Sequence, residues 1–180
     1  MKAVILKFGV IGAAIMLACI IPTLAFEMHK NLDVSTQEIV GYATIFLSLA
    51  VILFAMKEYR DGYNNGYLSY GEAVKLGVLI SLFPSVLFML YNYYFVIVLD
   101  PGFMDQYASI SLQQQYPEIN AADIPAKLAE MKAETPYFFN IHFQGALMFF
   151  TVFLIGLIES LIFAFLVMKK EKNDSGILNS

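Results

Sequence analysis

LGVLISLFPSVLFMLYNYYFVIVL, residues 76–99, runs for 24 residues without a charge. At about 1.5 Å per residue such a helix spans about 36 Å, more than the roughly 30 Å of hydrocarbon in a bilayer. Three more runs of this kind lie on either side, at about 8–26, 39–56 and 143–168, and only the last holds a charge, Glu159. In hydrocarbon no water satisfies open backbone groups, so each run must be helical. The expected fold is an all-α integral membrane protein: an antiparallel four-transmembrane-helix bundle in one membrane domain over 1–172, with a short tail at 173–180.

Composition agrees. Of 180 residues 59% are apolar and 14% charged, with a mean hydropathy of +0.66. A soluble domain carries about a quarter charged residues. The net charge of −4 and the absence of a long basic run exclude a nucleic-acid partner. The single cysteine, Cys19, allows no intrachain disulfide and no zinc spacing. Met16-Leu17-Ala18-Cys19 is a weak lipidation signal, because apolar sequence continues to Phe26. A retained first helix is favoured over a cleaved signal peptide, since the run is too long and lacks Ala-x-Ala.

Lys and Arg set the orientation. Lys2, Lys7, Lys57, Arg60, Lys75, Lys169, Lys170 and Lys172 fall on one side; Lys30, Lys127 and Lys132 fall on the other. Both termini and the 57–75 loop are therefore expected in the cytoplasm.

Two loops carry signals of their own. In the middle loop Asp61-Gly62 and Asn65-Gly66 mark turns, and Ser69 with Glu72 three residues on forms a capping box. Tyr59, Tyr63, Tyr67 and Tyr70 suit an interfacial aromatic belt. Tyr59, Arg60, Asp61 and Glu72 are the candidate cytoplasmic docking residues; a simple turn against the headgroups is the plainer alternative. In the third loop, 100–142, Phe103, Tyr107 and Ile110 share one helical face, as do Ile124, Leu128 and Met131 after Asp123, a candidate N-cap. Two short amphipathic helices lying on the outer leaflet are expected. This loop holds six carboxylates and two lysines, so it is either an acidic lid or a surface for an extracytoplasmic partner or a cation.

Lys57-Glu-Tyr-Arg60-Asp61, Gly66, Ser69-Tyr-Gly71-Glu72-Ala73 and Leu99-Asp100-Pro101-Gly102-Phe103 together resemble a bacterial family of small four-helix membrane proteins catalogued only as a domain of unknown function. The resemblance covers nearly the whole chain. It implies four helices, an inner-membrane location and a link to glycosyl transfer on polyprenyl phosphate, and it supplies no activity. Glu159 is not part of the family pattern, so no role transfers to it.

Glu159 is the most informative residue. It lies ten positions before Lys169, about 15 Å along a helix and so near the bilayer midplane. An ionised carboxylate there costs roughly 2.5–3.5 kcal/mol on insertion scales. One reading is a proton-coupled step or a polar-substrate contact. The other is a protonated acid bonded across helices, with Ser48, Ser85 and Asn92 as candidate partners. Gly156, Ser160 and Ala164 form a small-residue stripe beside it, suited to close helix packing. Pro84 frees the carbonyl of Ile80, giving either a polar pocket or a packing kink. His29 and His142, with Glu27 and Asp33, lack the spacing of a zinc site, so no metal or other cofactor is expected.

No nucleophile elbow, HExxH or phosphate-cradling loop occurs. The expected function is non-catalytic: a membrane subunit or assembly partner, contacting the bilayer and either a second copy or another membrane protein. The alternative is a small oligomeric transporter or lipid-carrier translocator that uses Glu159.

Overall fold

A computed structural model describes residues 1–25 and 34–169. Their helices are α1 (Lys2–Ala25), α2 (Val34–Leu49), α3 (Val51–Glu58), α4 (Tyr70–Tyr94), α5 (Phe103–Gln115), α6 (Ile124–Glu134) and α7 (Ile141–Val167). Two π-helical turns, Tyr59–Tyr63 and Phe95–Leu99, extend α3 and α4. Four stretches are long and apolar enough to cross a membrane: Lys2–Ala25, Ser35–Tyr63, Tyr70–Leu99 and Ile141–Val167. They overrun the uncharged runs, most of all at 35–63. A charge count finds the part suited to hydrocarbon, whereas a helix continues until a turn or cap takes over its backbone groups. The second stretch keeps its hydrogen bonding past Ala50, whose N–H donates to the Phe46 carbonyl at 3.0 Å.

The chain divides into two compact units, Met1–Ser85 with Val152–Ser180, and Val86–Thr151. The first holds a core of Met16, Leu49, Ile52, Met56, Leu76 and Ile80, all fully buried. Small residues let its helices approach closely. A Cβ on Gly12 would sit 3.0 Å from the Ser48 carbonyl oxygen. A Cβ on Gly77 would strike the Ser160 hydroxyl and come within 2.8 Å of Ile52, and one on Gly156 would strike Ser81. Farther along, Leu68 and Lys169 exchange two backbone hydrogen bonds of 2.9 Å. Lys7 Nζ donates to Glu58 at 2.6 Å. Large apolar side chains also cover the outside, among them Leu6, Ile21, Phe46, Phe54, Phe165 and Leu166, each more than half exposed.

The second unit is built on aromatic contacts. Phe88, Tyr91, Phe95, Phe103 and Tyr107 form a chain with ring centroids 5.1 to 6.0 Å apart. The two short helices of the third loop are present. Their faces differ in part from expectation, because α5 buries Ala108 and Leu112 and leaves Ile110 37% exposed. Phe103 stacks on Tyr107 and meets Phe95 edge-on, and these contacts set the rotation of α5. Asp123 precedes α6 without making a capping bond; Asn120 accepts from Ala122 N–H instead, capping the 3-10 turn before the helix. Lys132 ties α6 to Asp105 of α5 at 2.7 Å.

Replacing Gly77 with Leu should lower the yield of folded protein and its thermal midpoint in detergent, by an overpacking cost of about 1–3 kcal/mol. Gly71→Ala is the control, because a Cβ there meets nothing within 4 Å; its midpoint should be unchanged.

Candidate functional site

The 59–72 loop closes on the end of α7. Ser69 and Glu72 form the expected capping box: Ser69 N–H and hydroxyl donate to Glu72 Oε2 at 3.1 and 2.6 Å, and Glu72 N–H donates back to the Ser69 hydroxyl at 3.4 Å. Asn65 and Gly66 both take positive φ, 53° and 81°, the left-handed turn that these two residue types accommodate. The turn brings Gly66 N–H to the Arg60 carbonyl at 2.8 Å.

Arg60 turns onto the end of α7. Its Nη1 donates to the Val167 carbonyl at 3.1 Å, and its Nε and Nη2 hold both oxygens of Asp61 at 2.7 and 2.9 Å. A cation on the last carbonyls of a helix satisfies open acceptors and opposes the helix dipole. Of the four candidate docking residues, Arg60 and Glu72 are thus engaged within the chain. Tyr59 stacks on Tyr63 at 6.5 Å, and Asp61 remains 58% exposed at its side chain.

The candidate intramembrane residues divide between the two units. Ser48, Ser85 and Glu159 belong to the first unit and Asn92 to the second. Glu159 is 7% exposed, and its Oε2 has no hydrogen-bond partner among the described residues. The serines do not donate to it. Ser48 donates to the Ile45 carbonyl, Ser81 to Val78, Ser85 to Ser81 and Ser160 to Gly156. Each hydroxyl reaches back three or four residues on its own helix, as serines in helices do. Asn92 Oδ1 is buried without a partner among the described residues.

The small-residue stripe of Gly156, Ser160 and Ala164 is buried inside the chain. Gly156 meets Ser81, and Ser160 meets Gly77. His142 Nδ1 lies 3.1 Å from the Tyr93 hydroxyl; His29, Glu27 and Asp33 lie outside the described residues, as do Lys30, Lys170, Lys172 and the 173–180 tail. Gln144 is a residue the sequence reading passed over. It is 4% exposed, donates to the Phe138 carbonyl at 3.0 Å, and keeps Oε1 without a partner among the described residues. The signal that singled out Asn92, an amide inside an apolar run, also applies to Gln144.

A family model described as a protein of unknown function (DUF4199) matches residues 7–169. No curated protein and no solved structure matches the chain.

Arg60→Gln should lower the free energy of unfolding by about 1–2 kcal/mol, through loss of the charged bond to the end of α7. Asp61→Asn, at an exposed position, should leave it almost unchanged. Denaturant titration in detergent micelles reads both.

Proposed function

As a member of the DUF4199 family the chain inherits no activity from its relatives, and we propose that it is a non-catalytic subunit of the bacterial inner membrane. In this reading its four long helices form an antiparallel transmembrane bundle. The lysine-rich ends lie in the cytoplasm, and the acidic 100–142 segment is held on the outer face to dock a partner.

The observation that carries this reading is the distribution of apolar and small side chains. Bulky apolar groups cover the outside of the long helices, while glycine and serine lie where helix meets helix. Water would penalise that exterior, and helices in lipid associate through close packing of small residues. Three pairings support the antiparallel arrangement: Leu68 with Lys169, Gly77 with Ser160, and Ser81 with Gly156. The position on α7 falls as the position at α4 rises. Lys7 beside Glu58 supports the same relation between α1 and α3. These contacts pack the first unit closely, which favours a scaffold over a conduit in a single copy. Docking is assigned to the 100–142 segment because Arg60, the centre of the other candidate surface, is turned onto Val167. Tyr116, Tyr137 and Phe138 present exposed rings there, the residue types enriched where proteins bind.

One observation favours the runner-up, a small oligomeric transporter or lipid-carrier translocator. It is the Oε2 of Glu159, buried with no hydrogen-bond partner among the described residues, since an ionisable residue inside a membrane is by default a functional candidate.

Compartment-sensitive reporters fused at the two ends should report the cytoplasm, and one inserted near Tyr116 should report the outside. A C-terminus found outside the cell overturns the orientation. A photo-crosslinker placed at Tyr116 or Tyr137 in living cells should capture a protein partner, whereas one at Tyr63 should not; capture from Tyr63 alone moves docking to the other face.

A further inference from the structure

The turn that leaves α5 is held by its own backbone. Tyr116 N–H donates to the Leu112 carbonyl at 2.9 Å and ends the helix, and Ile119 N–H donates to the Tyr116 carbonyl at 3.0 Å. Pro117 fixes one φ inside that turn. Asn120 then caps the 3-10 turn that leads into α6. With the start of α6 this segment frames an open concavity of about 340 Å³, lined by Tyr116, Glu118, Ile119 and Lys127. The concavity lies wholly within the second unit. Its lining combines a ring, an apolar side chain and a carboxylate. Tyr116 is 48% exposed, and Glu118 makes no ion pair among the described residues. Lys127 is already committed, since its ammonium donates to Glu130 Oε2 at 2.7 Å. The other lysine of the segment, Lys132, is held by Asp105 at 2.7 Å. Six carboxylates share these two lysines across 100–142, so the surplus charge is negative and Glu118 carries part of it into the concavity.

We propose that this concavity receives a lysine or arginine side chain from a basic segment of a partner protein, with the cation over the Tyr116 ring and beside the Glu118 carboxylate. The proposal rests on the docking role given above to 100–142 and names the chemistry of the partner. Charge complementarity selects the occupant. A cation is attracted both by the face of an aromatic ring and by a carboxylate. A long basic side chain also brings an apolar stem, which Ile119 can cover. An acidic peptide would meet Glu118 and the surplus of carboxylates. A phospholipid ammonium headgroup brings a phosphate with it, and the one cation in the lining is bonded to Glu130. Because the turn is already hydrogen-bonded, binding a side chain there orders little further backbone.

The test uses the full chain in phosphatidylcholine nanodiscs. The probe is a fluorescein-labelled peptide of alternating lysine and serine, with the same peptide carrying glutamate for lysine as its control, and fluorescence anisotropy reads binding. The lysine peptide should bind and the glutamate peptide should not. Tyr116→Leu and Glu118→Gln should each weaken binding about threefold to tenfold, the loss expected for one partly exposed cation contact. Glu118→Lys should abolish it. Asp123→Asn removes the same charge outside the lining, at a residue that makes no capping bond, and should change binding by less than about twofold. Tyr116 and Glu118 are exposed, so their variants should keep the parent's thermal midpoint, and Glu118→Gln decides the matter if Tyr116→Leu does not accumulate. Binding that ignores both residues, or that falls as far with Asp123→Asn, overturns the site. So does displacement of the lysine peptide by soluble glycerophosphoethanolamine at a lower concentration than by lysine amide, which would assign the concavity to a lipid headgroup. In cells, a photo-crosslinker at Tyr137, outside the concavity, reads the docking role separately. Capture there that Glu118→Lys abolishes supports both readings. Capture that Glu118→Lys leaves intact overturns the cation site and keeps the docking role, and no capture in the parent marks the docking role as the one that failed.

Discussion

The contact of Gly77 with Ser160 and of Gly156 with Ser81 is the constraint on which the first unit depends. In the proposed membrane setting no hydrophobic drive brings two apolar helices together, so close packing must supply it. Glycine on each helix allows that approach. The facing serines act as small residues because their hydroxyls are turned onto their own backbones. A side chain at either glycine would separate the helices, and with them the pairing of Leu68 and Lys169 that continues the same register.

That register has consequences at both levels of the unit. At its end it places the Val167 carbonyl within reach of Arg60, so a residue with the look of a surface anchor becomes a helix cap. The 59–72 loop is then ordered by four local devices: the Asp61 fork, the Asn65-Gly66 turn, the Ser69–Glu72 box and the Leu68 strand-like pair. In the middle, the register buries both Ser160 and its neighbour Glu159. One position along a helix is about 100° of rotation, and that rotation separates a packing residue from a carboxyl whose Oε2 has no partner among the described residues.

The second unit follows different physics. Its order comes from large rings, and the chain from Phe88 to Tyr107 runs through the π-helical turn at Phe95–Leu99 and the Asp100–Gly102 turn without a break. Gly145 leaves room for Tyr93, whose ring would lie 2.9 Å from a Cβ there. Ion pairs such as Lys132 with Asp105 lie at the exposed surface and add little to this order.

Much of the fold was legible in the sequence for simple reasons. Uncharged length marked the four long helices. The Ser69–Glu72 spacing marked the start of α4, and apolar periodicity marked α5 and α6. These are local signals, each complete within one turn or one helix. The site was legible only as a set of unusual residues. Glu159, Asn92, Arg60 and the Gly156 stripe stand out by type and position, but type does not say what a side chain meets. The serines near the midplane read as partners for Glu159; helix geometry gave each a nearer acceptor on its own backbone. The small-residue stripe read as a face for close packing with another helix, and which helix that is, α4 of the same chain, came only from the structure. Sequence alone therefore determined which segments are helical and which residues are out of place in an apolar helix, because length and charge act locally. Tertiary structure alone decided the register of the long helices, because that depends on contacts between residues far apart in the chain, and those contacts are what brought Arg60 to the Val167 carbonyl and buried Glu159 without a hydrogen bond from the nearby serines.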